Sequence, residues 1–284
     1  GDRPVVTEST GDVRAIRRGV VVRNEMDVCV MGRGPANPFL SARDLFETEH
    51  DLAWPVEVEV REDPDERTLT GHYDDDHHVL VMSEQAARGA MARELALHEY
   101  SHMLRYEESH PSHVQSTEEA LFLALTGRSV ERRKIIHCYQ IANHMKDIYA
   151  DDITLEVAPA DKLVSFLESS LATALADRPA QGPNGSSTSG SHRLTSAADP
   201  DITAVNAAFA LALCERHGLV DEDHRLYDLA RAAASDAPDI RLNRFKHSFR
   251  SLADDPDPSD YRKALVDVTR EYAIGSQHRP SAAD

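Results

Sequence analysis

Lysine is scarce in this chain: among 284 residues, Lys134, Lys146, Lys162, Lys246 and Lys263 are the only ones. Acidic residues outnumber basic ones by 49 to 31, a formal net charge of -18, which argues against nucleic acid as a partner. Cysteine is sparser still. Cys29, Cys138 and Cys214 form no C-x-x-C pair, so neither a disulfide framework nor a cysteine-only zinc site is expected. Each is expected to act as a small buried apolar residue. No stretch approaches the roughly 18 consecutive apolar residues that span a bilayer, so no membrane insertion is expected. The opening residues, GDRPVVTESTGDVRAIRRG, hold no apolar signal core, and the expected compartment is the cytoplasm. A surface rich in carboxylates and poor in lysine stays hydrated where salt screens its self-repulsion. The charge pattern therefore leads to the expectation of a salt-rich cytoplasm.

An apolar share of 41% over this length supports one large domain or two small ones. Residues 18–32 and 53–61 carry β-branched runs and read as strands; Val56, Val58 and Val60 alternate with glutamates, giving the second one wet face. Residues 67–73 and 78–82 read as a hairpin around the acidic turn Asp74-Asp75-Asp76. One helix is expected from an N-cap at Ser83 to about residue 108. Further helices are expected at about 117–126, 131–152, 160–176, 201–217, 222–235 and 259–274. The expected fold is therefore α+β and predominantly helical: a small sheet with a central helix, followed by C-terminal helices. Its organisation reads as a catalytic domain over 1–177, a flexible Gly/Ser/Pro-rich linker or loop over 178–200, and a separate helical region over 201–284.

The motif that carries chemistry is LALHEYSHML. It places His98, Glu99 and His102 in the middle of the 83–108 helix. Histidines at i and i+4 lie one turn apart on one face, so both imidazoles can reach one ion. Glu99 projects beside them, where it can take a proton from water; a zinc ion would acidify that water and polarise a carbonyl. A catalytic zinc site needs a third protein ligand and an open position. The hairpin strand at 78–82, expected at the sheet edge, would pair with an extended peptide. On the 131–152 helix His144, Asp147 and Asp151 share one side at spacings of three and four. The nearer helix offers Glu118 and Glu119. His77 and His78, beside the acidic turn, read as surface residues. His110 and His113 do not follow metzincin spacing, because positions 105 and 108 are Arg105 and Glu108. His137, His247, Tyr139, Tyr149 and Tyr261 stand as candidate transition-state donors.

Over residues 78–152, about a quarter of the chain, the sequence resembles the gluzincin-like H-E-x-x-H zinc peptidases and looks like a soluble relative of their HtpX-type branch. Those carry a Glu-x-x-x-Asp pair on a following helix, written E-x-x-A-D in the HtpX-type enzymes; here Asp147-Ile148-Tyr149-Ala150-Asp151 reads D-x-x-A-D. The resemblance implies a zincin-like fold, Zn2+ as cofactor, Asp147 as third ligand and Asp151 as the group that orients a zinc-bound histidine. Aspartate stands where that pattern has glutamate, as in the aspzincins, and the shorter side chain requires a closer helix. His144 and Glu119 remain alternative third ligands, although the acid each would need four residues on is replaced by Ile148 and Leu123. The functional expectation is a zinc metallopeptidase acting on a peptide or protein, with Glu99 as general base. Its rival is a non-catalytic metal-binding or metal-free helical interaction protein, in which Glu99 would have no task. Composition and motif leave the oligomeric state open.

Overall fold

The computed structural model describes residues 25–73, 76–177 and 199–275. The first part of the 18–32 strand, turn residues Asp74 and Asp75, and linker residues 178–198 lie outside the described residues. The fold is α+β with helix dominant. Strands β1 (Val28–Met31), β2 (Val56–Arg61), β3 (Leu69–Tyr73) and β4 (His77–Ser83) form one sheet in the order β1-β2-β4-β3. β1, β2 and β4 run parallel, and β3 pairs antiparallel with β4 as the expected hairpin. β4 is thus an interior strand and not the edge; the edge beside the hairpin is β3. The sequence of β4 explains this, because His78 through Ser83 are all buried, as a strand paired on both sides requires. Cys29 is also a correction: it lies exposed on β1, while Cys138 and Cys214 are buried.

Between β1 and β2 runs α1 (Asn37–Phe46), whose Phe39, Ala42 and Phe46 are fully buried at helical spacing. The expected helix from Ser83 is broken in two. Ser83 does cap α2 (Glu84–Arg88), its Oγ accepting from Ala86 N at 3.0 Å, but Gly89 then turns extended (φ -73°, ψ 162°). The chain re-enters helix as α3 (Ala92–Glu107). Glycine costs about 1 kcal/mol in a helix interior, which makes this the weakest point of the run.

The remaining helices are α4 (Pro111–Val114), α5 (Thr117–Leu125), α6 (Arg132–Val157), α7 (Asp161–Ala176), α8 (Pro200–His217), α9 (Arg225–Asp236), α10 (Leu242–Arg250) and α11 (Pro258–Ile274). Helix α6 joins two cores. Its Ile153 packs with the sheet, α1 and α3, while Ile141, Met145 and Ile148 pack with Val205, Phe209 and Leu265 of α8 and α11. The helices after residue 200 therefore share a core with α5 and α6 and do not form a separate cap. Arg216 of α8 clasps Asp152 of α6 with two bonds of 2.8 Å, tying the same elements together. Among the described residues no helix is long and apolar enough to cross a membrane.

The site depends on how closely α3 and α6 cross. Ser101, one turn from His98 on α3, and Ala150, one turn from Asp147 on α6, are both small and fully buried. Ser101 Oγ meets Thr154 Oγ1 at 2.9 Å, and Arg105 Nε donates to Tyr149 O at 2.9 Å. Small side chains let the backbones approach, which brings the α3 histidines within reach of short aspartates on α6.

Candidate metal centre

His98 and His102 present their Nε2 atoms to each other at 3.0 Å. Asp147 Oδ1 completes a triangle, 3.1 Å from His102 Nε2 and 3.3 Å from His98 Nε2. Ligands held tetrahedrally at the 2.0–2.1 Å usual for zinc stand about 3.3 Å apart, so the three atoms have the spacing of three sides of such a site. His98 Nδ1–H donates to Asp151 Oδ1 at 2.7 Å, and His102 Nδ1–H donates to His113 Nε2 at 2.7 Å. With both far nitrogens protonated, each Nε2 turns a lone pair inward. Two lone pairs and a carboxylate oxygen on one point repel one another unless a cation lies among them: a metal ion, or a proton on an Nε2 that is then donated to Asp147 Oδ1.

The electrostatics agree. Burial opposes charge on His98, yet the Asp151 and Asp147 carboxylates outweigh it and raise the imidazole pKa well above its ordinary value. Burial also opposes ionisation of Asp147, and hydrogen bonds from His102 and His98 outweigh it, holding the carboxyl well below the usual carboxylate range. The pocket favours positive charge at its centre and an ionised Asp147. His98, His102 and Asp147 side chains keep 24%, 15% and 29% of their surface, so one side of the site stays open, unlike the closed shell of a structural zinc.

Glu99 offers a ligand atom within 4.8 Å of both histidines. Asp147 lies nearer, and Glu99, which is buried, accepts a hydrogen bond at Oε2 from Thr70 Oγ1 of β3. It therefore stands beside the triangle as a base would. His144 Nε2 donates to Asn206 Oδ1 at 2.7 Å, and its ring stacks on Phe209, so it faces α8. Its Nδ1 comes no nearer than 4.0 Å to Asp147 Oδ2. Glu119 is exposed on α5. The third position of the triangle thus belongs geometrically to Asp147, with Asp151 one turn further along α6. A cavity of about 160 Å³ opens beside His98, Asp147 and Asp151, lined mainly by apolar side chains such as Leu95, Leu163, Phe166 and Phe209.

The chain belongs to the family of unknown function DUF5781. That match runs over residues 26–274, from just before β1 to the last residue of α11, so the site and the C-terminal helices lie in one family unit. No curated protein and no solved structure matches the chain.

Several residues take places the sequence reading of this DUF5781 chain did not give them. His78 is wholly buried instead of lying at the surface, while His77 stays partly exposed near Asp76. The signal was present: His78 is in phase with the core residues Leu80 and Met82 on one face of β4. His113, although off metzincin spacing, supports His102 from α4. Its own far nitrogen Nδ1 meets Ser112 Oγ at 2.7 Å, and Ser112 Oγ meets His110 Nδ1 at 2.7 Å. Burial, then the neighbouring charge of His102, pushes the His113 pKa far down and keeps it a neutral acceptor. The candidate transition-state donors lie elsewhere. Tyr149 OH donates to Ala253 O, Tyr149 and Tyr261 line a cavity between α6, α10 and α11, His137 bonds Tyr272, and His247 and Tyr139 are exposed.

Proposed function

We propose that the chain is a zinc-dependent peptidase in which His98, His102 and Asp147 hold the ion and Glu99 is the general base. The observation that carries this reading is the triangle of two Nε2 atoms and one carboxylate oxygen, 3.0–3.3 Å on a side, with a Glu99 oxygen within 4.8 Å of the histidine ligand atoms. Zinc held there supplies a Lewis acid that polarises a carbonyl and acidifies water. Glu99, steadied at Oε2 by Thr70, has Oε1 left to take the proton of the attacking water and return it to the leaving amine. Asp151 fixes the tautomer and ring angle of His98, and His113 does the same for His102. β3, as the edge strand, offers unpaired backbone groups along which an extended peptide could lie. The acid-rich, lysine-poor composition supports a salt-rich cytoplasm as the working compartment.

The test is metal content by inductively coupled plasma mass spectrometry, for wild type and His98→Ala purified in high salt. Near-stoichiometric zinc in wild type and none in the variant is expected. Cleavage of a quenched fluorogenic peptide mixture should then vanish in Glu99→Gln while its zinc remains. A folded wild type that takes up no zinc when it is offered overturns the reading in favour of a helical interaction protein. Zinc without any cleavage leaves a metal-holding regulatory module.

A further inference from the structure

A second array of histidines lies against the site and has no part in the chemistry above. On β3, Thr70 and His72 are two residues apart and share a face, and their cross-strand partners Leu80 and His78 on β4 share it too. Along α3, Glu99, His102 and Tyr106 form one stripe at spacings of three and four. The strand lies along this stripe. Thr70 meets Glu99, and the His72 ring stacks on Tyr106 with centroids 3.7 Å apart and planes within 8°. Thr70 and His72 thus contact α3 on either side of His102 along that stripe.

Behind His72 runs a buried chain of short bonds. His72 Nδ1 and His78 Nδ1 are 2.7 Å apart, and His78 Nε2 donates to Glu107 Oε1 at 2.8 Å. Glu107 also accepts from Trp54 N at 3.0 Å and Ala53 N at 2.8 Å. Two proton arrangements satisfy these contacts. In one, His78 is an imidazolium that donates from both nitrogens, so His72 accepts at Nδ1 and carries its own proton on Nε2. In the other, His78 is neutral, His72 donates from Nδ1, and its Nε2 shows a lone pair. His78 has no exposed surface, so the groups around it, and not solvent, select between them. The first arrangement neutralises Glu107 within the protein; the second leaves a buried carboxylate with no countercharge. Burial and the adjacent His78, with further repulsion from His102 and Lys146, hold His72 down at about 4, so at neutral pH it is uncharged.

We propose that His72 donates its Nε2–H to the substrate carbonyl oxygen as negative charge develops there, and that His78 and Glu107 hold His72 in the one tautomer able to do so. The inference rests on the peptidase reading. His72 is then a catalytic residue, while His78 and Glu107 are positioning residues acting through it. No covalent bond changes at His72: the proton stays on Nε2 and the hydrogen bond strengthens as charge builds on the oxygen. A donor fixed beforehand by stacking and a buried ion pair needs no reorganisation at that moment, and one such donor is worth roughly 10²–10³ in kcat.

The experiment uses the full zinc-loaded chain. Long-range ¹H–¹⁵N correlation spectra of histidine-labelled protein at neutral pH should show His72 protonated at Nε2 and bare at Nδ1, and His78 protonated at both. In Glu107→Gln the countercharge is gone, and His72 should lose its Nε2 proton while zinc content persists. On the fluorogenic peptide mixture, His72→Phe, which keeps the stacking, should lower kcat roughly 10²–10³-fold with KM little changed. His72→Gln, whose amide nitrogen falls near the lost Nε2, should recover part of it. A bare Nε2 in wild type overturns the proposal, as does zinc-dependent cleavage that His72→Phe leaves intact. A chain that shows the tautomer but neither holds zinc nor cleaves peptide overturns the peptidase reading, and with it the role given to His72.

Discussion

The two imidazoles on α3 are not equivalent, because different groups hold their far nitrogens. Asp151, 4% exposed, accepts from His98 with a full negative charge, whereas His102 leans on a neutral imidazole. A carboxylate partner raises ligand basicity more than a neutral one does. Asp151→Asn keeps the shape and an acceptor oxygen but removes the charge, so zinc affinity should fall about 10–100-fold, measured by competition with a chromophoric chelator. His113→Gln should cost less; an equal or larger loss would mean that the charge of Asp151 does not strengthen His98. Further along the same chain of bonds, His110 gives a pH signature. Burial, then Arg105, lowers its pKa from 6.5 to about 4. Between those values the unfolded chain binds a proton that the folded one refuses, so stability present above pH 6.5 is lost as pH falls toward 4. The whole shift is worth about 3 kcal/mol. His110→Asn keeps the cap on Ser112 N without a group that titrates there, and its denaturation midpoints should fall less steeply over that window than those of wild type. Parallel pH profiles would show that His110 does not contribute.

At the scale of elements, the site is made by one helix crossing. Ala150 is fully buried between Asp147 and Asp151 on α6, one turn before Thr154, which meets Ser101 of α3. Ala150→Leu must push α3 and α6 apart, which should cost about 1–3 kcal/mol and carry both aspartates away from the histidines. Asn143→Leu, at an exposed position of the same helix, is the control that should change neither chemical denaturation nor zinc uptake. Retained zinc affinity in Ala150→Leu would mean that the aspartates do not depend on this close approach. The crossing also marks how far the sequence could be read. H-E-x-x-H and D-x-x-A-D each place their residues on one stripe by local spacing alone. Which stripes face each other is a long-range matter, settled by small residues such as Ser101 and Ala150, so Glu119 and His144 could not be dismissed from spacing. Strand order was partly local: the unbroken apolar run from Val79 to Met82 marks a strand paired on both sides, whereas His78 beside an acidic turn looked like surface. Elements α1 and α10 escaped notice because they are short, 10 and 9 residues, with Phe39, Ala42 and Phe46, or Phe245 and Phe249, as their buried faces.

For the whole molecule the governing quantity is charge. Eighteen net negative charges repel one another across a fold whose two cores meet along α6. Pairs that join distant elements oppose this, and the best placed are protected: Arg216 and Asp152 side chains are 9% and 18% exposed. Salt acts differently on the two. From about 0.1 M to about 1 M the Debye length shrinks from about 10 Å to about 3 Å, which erases long-range surface repulsion but hardly touches a buried contact. Added KCl should therefore remove more repulsion than attraction, and the thermal midpoint should rise with it, by roughly 2–4 °C for each kcal/mol gained in a chain of this size. A neutral osmolyte at matched osmolality should give a smaller rise, because it excludes itself from the surface without screening charge. If the midpoint falls as KCl is added, attraction among surface pairs outweighs the net repulsion, and the acid-rich composition is not an adaptation to salt.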